Sequence, residues 1–148
     1  MKIASIILIL LFSIPSDSWI SSDSWLSDLE AAKKEAQGSG KLILVKFSGS
    51  DWCLPCMKLK KNVFEMQEFR DYASANLVLV NIDFPRFKDN QHGKEQMKKN
   101  ETLAEKYNPS GQFPFTLLLD ADGKIMRQWD GYSNTSAKDF VSQIKLCL

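Results

Sequence analysis

Apolar positions along this chain change their period several times, and each change marks an element. The first run, residues 3–14, is almost unbroken and sits between Lys2 and Pro15. It is short for a membrane span, which takes about 20 residues, but it has the length of a signal-peptide core. Ser16-Asp17-Ser18 offers small residues for cleavage. Residues 1–18 therefore read as an export signal and 24–148 as one folded domain. An uncleaved apolar anchor is the alternative, and both place the folded part outside the cytoplasm. No cysteine ends the run to carry a lipid.

Trp25, Leu26, Leu29, Ala32 and Ala36 then recur at helical spacing, with Ser24 as the expected N-cap and Gly38-Ser39-Gly40 as the stop. Residues 42–47 form a short apolar run rich in strand formers, as a buried strand requires. A helical stretch at 67–75 leads to a second interior strand at 77–83. A polar, mostly basic excursion over 84–100 runs into a helix ending near Tyr107. Residues 115–119 read as a third strand, Asp120-Ala121-Asp122-Gly123 as a hairpin turn, and 124–129 as the returning strand. Residues 136–146 close the chain as an amphipathic helix with Phe140, Val141 and Ile144 inward. Strands joined by helices and followed by a hairpin predict an α/β fold, a central mixed sheet with helices on both faces.

Composition narrows the chemistry. The 148 residues carry a formal net charge of +1, which offers nothing to nucleic acid or an acidic membrane surface as main partner. Three cysteines are too few for a disulfide-stapled scaffold. Two of them, Cys53 and Cys56, stand two residues apart where a strand hands over to a helix. A helix N-terminus presents unpaired N–H groups and partial positive charge, and both favour thiolate over thiol. Thiolate is the attacking species in disulfide exchange. Cys53, at the loop edge where solvent and substrate reach it, reads as nucleophile, and Cys56, one turn inside, as the resolving thiol. Pro55 suits a first helical turn, where its missing N–H needs no partner.

Other readings stand beside this one. A zinc site needs further Cys or His ligands, and only His92 and Cys147 are left to provide them. A purely structural disulfide across so short a loop constrains the unfolded chain little. Cys147 reads as an apolar filler on the last helix, or as a thiol free to form an intermolecular disulfide. The stretch with Arg86, Lys88, Lys94, Lys98 and Lys99 reads as a solvated face or as a docking surface for a partner protein.

The segment Phe47-Ser48-Gly49-Ser50-Asp51-Trp52-Cys53-Leu54-Pro55-Cys56 resembles the Trp-Cys-x-x-Cys active site of thioredoxin-like proteins, especially small exported ones. Gly111-Gln112-Phe113-Pro114-Phe115-Thr116 is similar to that family's second signature, whose proline follows a cis peptide bond. The likeness spans residues 25–146. It implies a thioredoxin-like fold, with Cys53 and Cys56 catalytic and Trp52, Phe113 and Pro114 lining the substrate site. Two positions depart from the family. Lys46 stands where a buried acid is usual, and Phe115 follows Pro114 in place of threonine. Lys46, Asp51 and Pro55 are the candidates for tuning the redox pair; the plainer readings are a Lys46 that snorkels from a strand end and an Asp51 that is a solvated loop acid.

The resemblance implies dithiol–disulfide exchange on protein substrates outside the cytoplasm, in the reducing direction, by a monomer. It implies no bound cofactor, because the electrons reside in the cysteine pair. A membrane thiol relay is the expected electron donor. A disulfide oxidase or isomerase, or a chaperone-like module that holds chains along the Phe113-Pro114 groove, remains as the alternative.

Overall fold

The apolar runs of the sequence become one four-stranded sheet in the computed structural model, which describes residues 25–148. β1 (Leu42–Ser48) lies between β2 (Leu77–Asp83) and β3 (Phe115–Leu119), and β4 (Ile125–Asp130) forms the edge beyond β3. β1 and β2 run parallel, as a helical crossover requires, while β3 and β4 run antiparallel to their neighbours. The expected export signal and the Ser24 cap lie outside the described residues.

The helices divide between the two faces. α1 (Leu29–Ser39) and α4 (Lys94–Tyr107) pack on the face that carries Ile43, Val45 and Phe47. α3 (Gln67–Asn76) and α5 (Ala137–Lys145) pack on the other, with Leu44 and Leu118. α2 (Leu54–Leu59) begins at the cysteine pair and continues into a π-helical turn, Lys60–Phe64. The periodicity did not forecast that turn. It adds a residue to the helical ladder, closed by the Glu65 N–H on the Lys60 carbonyl at 2.9 Å. Val63 and Phe64 are thereby turned into the core.

The first helix starts later than its apolar spacing suggests. Asp28 is its N-cap, the carboxylate accepting from Glu30 N–H at 2.8 Å and Ala31 N–H at 3.0 Å. Leu26 instead bridges to Val80 on the outer edge of β2, through Leu26 N–H to Leu79 O and Asn81 N–H to Leu26 O, both 2.8 Å. Paired backbone at an open strand edge outcompetes another helical turn. Gly40 ends α1 in the left-handed region, φ 71°. The last strand starts one residue later than expected, at Ile125.

Candidate active site

β1 ends by delivering its chain into the loop Gly49–Cys53, and α2 begins at once. Two hydrogen bonds to the Gly49 carbonyl, from Cys53 N–H at 2.9 Å and Trp52 N–H at 3.3 Å, curl that loop. Cys53 is the N-cap of α2, and its Sγ accepts from Cys56 N–H at 3.2 Å. Cys53 and Cys56 are joined in a disulfide. A thiolate left at Cys53 on reduction would hold the cap position, where the Cys56 N–H and the helix N-terminus favour negative charge. The expected contrast between an open Cys53 and an enclosed Cys56 is absent, with exposures of 4% and 7%. Both sulfur-bearing residues are buried, so sequence order alone did not predict access.

A carboxylate that sequence reasoning missed holds the loop. Asp83 ends β2 directly opposite Ser48 in the parallel register. Its Oδ1 accepts from Ser50 N–H at 2.9 Å and Ser48 Oγ at 3.1 Å, and its Oδ2 from Ser50 Oγ at 2.6 Å. His92 Nε2 lies 3.7 Å from the same Oδ2. The signal was present as an acid closing an apolar strand. Only the β1–β2 register connects it to the active-site loop. Asn100 is buried and donates to the Asp83 carbonyl at 2.9 Å, tying α4 to the same point.

The second signature arrives from α4. Asn108, also unforeseen, clasps Gln112 twice, Nδ2 to its carbonyl at 2.9 Å and Oδ1 from its N–H at 3.0 Å. Gly111 takes φ 63° in that turn, where a side chain would be strained. The Phe113-Pro114 peptide is cis. The Phe113 ring meets Trp52 edge to face at 5.4 Å and Phe84 at 5.6 Å. Trp52 Nε1 donates to the Phe84 carbonyl at 2.7 Å. A Cβ at Gly49 would fall inside the Trp52 indole, so this loop position must be glycine.

Comparison with known proteins agrees with this geometry. A model of the thioredoxin-like domain matches residues 29–145. The chain belongs to the thioredoxin-like family. It is 34% identical over 124 residues to the disulfide bond reductase DsbH of Chlamydia pneumoniae, covering 84% of this chain and 72% of that protein. A solved structure of a DsbH oxidoreductase superposes with a TM-score of 0.76 at 32% identity, over 84% of this chain and 83% of that one. The C-terminal domain of Neisseria meningitidis DsbD, in the oxidised form, shares the fold at a TM-score of 0.58 and 15% identity, over 84% and 100%. Family membership and the paired cysteines make this chain a thiol–disulfide oxidoreductase.

At the position where thioredoxin-like proteins usually bury an acid, Lys46 is itself buried, at 9% exposure, rather than snorkelling outward. It and Cys56 line one cavity of about 380 Å³, together with Lys60, Phe64, Glu65 and Pro114. The ammonium lies 4.1 Å from the Trp25 ring centroid and 5.5 Å from that of Phe64. Burial lowers its pKa to about 8, helped by repulsion from Lys60 and opposed by Asp83 and Glu65.

Asp51 is half-buried rather than freely solvated. It accepts from Arg86 N–H at 2.9 Å, Phe87 N–H at 2.9 Å and Asn90 Nδ2 at 3.1 Å. Desolvation raises this carboxyl, but the hydrogen bonds from Arg86, Asn90 and Phe87 outweigh it and hold the pKa below the ordinary value. Pro55 sits exposed in the first turn of α2. Cys147 is half-buried, its Sγ 3.6 Å from the Gln143 carbonyl.

Proposed function

We propose that this protein reduces disulfides in protein substrates outside the cytoplasm, with Cys53 as nucleophile and Cys56 as resolving thiol. The observation that carries the reading is the Cys53 Sγ at the cap of α2, accepting the Cys56 N–H beside Pro114. The Cys53 thiolate attacks one sulfur of a substrate disulfide, forming a mixed disulfide and expelling a substrate thiolate. Cys56 then loses its proton and attacks the Cys53 sulfur. The second substrate thiolate leaves, and the Cys53–Cys56 disulfide carries away the two-electron oxidation. Both expelled thiolates take up protons. A dithiol relay at the membrane restores the reduced pair.

The reducing direction is supported by the disulfide bond reductase among its relatives, and export by the apolar run at 3–14. Leu54 and Phe87 are exposed at 61% and 62%, apolar surface of the sort a protein substrate covers. Trp52, Phe113 and Pro114 form the wall along which the substrate segment lies. Lys46, Asp51 and Pro55 set the potential of the pair.

In a test with a disulfide-bonded model protein and a dithiol donor, wild type accelerates reduction and Cys53→Ser does not. Cys56→Ser accumulates mixed disulfides resolvable by gel, whereas Cys53→Ser traps none. Equal trapping by both variants would remove the role assignment. A redox titration in glutathione buffers reads the direction. A potential well above that of its compartment would make the protein an oxidase.

A further inference from the structure

The loop after β2 is latched onto the active site, and what it brings there is a cation. Two neighbouring backbone N–H groups, those of Arg86 and Phe87, are held by the Asp51 carboxylate. The Arg86 guanidinium lies 3.8 Å from the Trp52 ring centroid, on the residue that precedes Cys53. Trp52 is in turn fixed by its Nε1–H on Phe84 O and by the Phe113 ring. Arg86 is thus held at its backbone by Asp51 and at its head group on Trp52, the neighbour of Cys53 in the chain. Stacking occupies the face of a guanidinium and leaves its in-plane N–H donors for a carboxylate. Arg86 is exposed, and no carboxylate pairs with it among the described residues.

Further cations line the cavity on the Cys56 side of the redox segment. Lys46, Lys60 and Lys61 line the cavity beside Cys56, where Glu65 is the single acid, and Lys60 engages it at 3.4 Å. Asp51 and Asp83 have their carboxylates committed to the loops. Lys88 and Asp89, adjacent in the turn that follows, bring one charge of each sign. The charged residues lining the Cys56 cavity are thus mainly cations, and Arg86 adds another on the Trp52 ring.

We propose that Arg86 determines substrate specificity by pairing with a carboxylate side chain close to the target cysteine, and that Asp51 is the positioning residue that holds it there. The occupant is an extended, disulfide-bonded segment with Asp or Glu near its cysteine. This rests on the oxidoreductase reading above and adds the substrate class to it.

The test uses the reduced full-length protein and two disulfide-bonded peptides, identical except for Glu or Lys two residues from each cysteine. Wild type should show kcat/KM about 10-fold higher for the Glu peptide, the scale of one charge-assisted hydrogen bond. Arg86→Gln should bring the ratio close to one, and Arg86→Lys should restore part of it. Asp51→Ala separates positioning from simple electrostatics. It removes a negative charge and would raise the ratio if charge alone mattered, whereas loss of the latch lowers it. A rise, or no change, would overturn the positioning role. Equal rates for the two peptides with wild type would overturn the specificity and leave the oxidoreductase reading intact. A preference that persists in Arg86→Gln would assign it to the lysines instead. Failure to reduce either peptide would sink both readings together.

Discussion

A lysine that shares a cavity with Cys56 reverses the electrostatics that a carboxylate there would impose. An ammonium near Cys56 favours the thiolate, while its own burial favours the neutral amine. With the Lys46 pKa lowered to about 8 from 10.5, the charged form still predominates at pH 7. It is held there against desolvation. Below about pH 8 both folded and unfolded states carry the proton, and the folded state bears the full penalty, about 3 kcal/mol at most. Between 8 and 10.5 the unfolded state binds more protons, so stability rises with pH. Lys46→Met should therefore be more stable than wild type at pH 7, by about 1–3 kcal/mol after loss of the cation–π contacts on Trp25 and Phe64. That advantage should shrink between pH 8 and 10.5, measured by urea unfolding. A gap independent of pH would place the ammonium in water. In the same series, Lys46→Asp should raise the Cys56 thiol pKa, read by thiolate absorbance.

At the scale of elements, the strand and helix ends are what build the site. Phe84 N–H on Ser48 O at 2.8 Å and the Asp83 carboxylate on Ser50 lock the ends of β1 and β2 to one another. α2 begins from that locked corner, so Cys53 inherits its position from backbone pairing. α1 depends in the same way on its cap. Asp28→Ala leaves the Glu30 and Ala31 N–H groups without their acceptor and removes the 3.9 Å pair with Lys99. A loss of about 1 kcal/mol in chemical denaturation is expected. Asp28→Asn, which still caps, should recover most of it. Equal losses in both variants would mean that the charge, rather than the cap, supplies the stability.

For the molecule as a whole, the two faces of the sheet hold separate cores, and the one with Leu44 and Phe140 reaches the Cys56 cavity through Phe64. Phe140 on α5 meets Phe64 at 5.7 Å, Phe69 at 6.1 Å and Trp129 at 4.6 Å between ring centroids. Phe64 also walls the cavity shared by Lys46 and Cys56. Phe140→Ala should cost about 3–5 kcal/mol, because a buried ring is lost from a packed aromatic cluster. Cooperative unfolding monitored by Trp fluorescence tests this. A loss below about 1 kcal/mol would show that α5 is only loosely docked.

Much of this arrangement was written in local pattern. The periods of residues 42–47, 77–83 and 115–119 specify buried strands, because both faces of those strands had to be apolar. The spacing of Cys53 and Cys56 at a strand-to-helix handover specifies redox chemistry, since the helix N-terminus is a local property. Residues whose roles depend on a distant partner could not be read the same way. Leu26 left its helical pattern for the edge of β2, and the π-helical turn at Lys60–Phe64 answers to core packing. Asp83 reaches the active-site loop only through the register of two strands, and Asp51 reaches Arg86 across 35 residues of chain. The pairing of Lys46 with the Cys56 cavity likewise required depth, which burial decides and sequence does not contain. Periodicity records what each residue does to its own element, whereas hydrogen bonds and desolvation record what the folded chain brings to it.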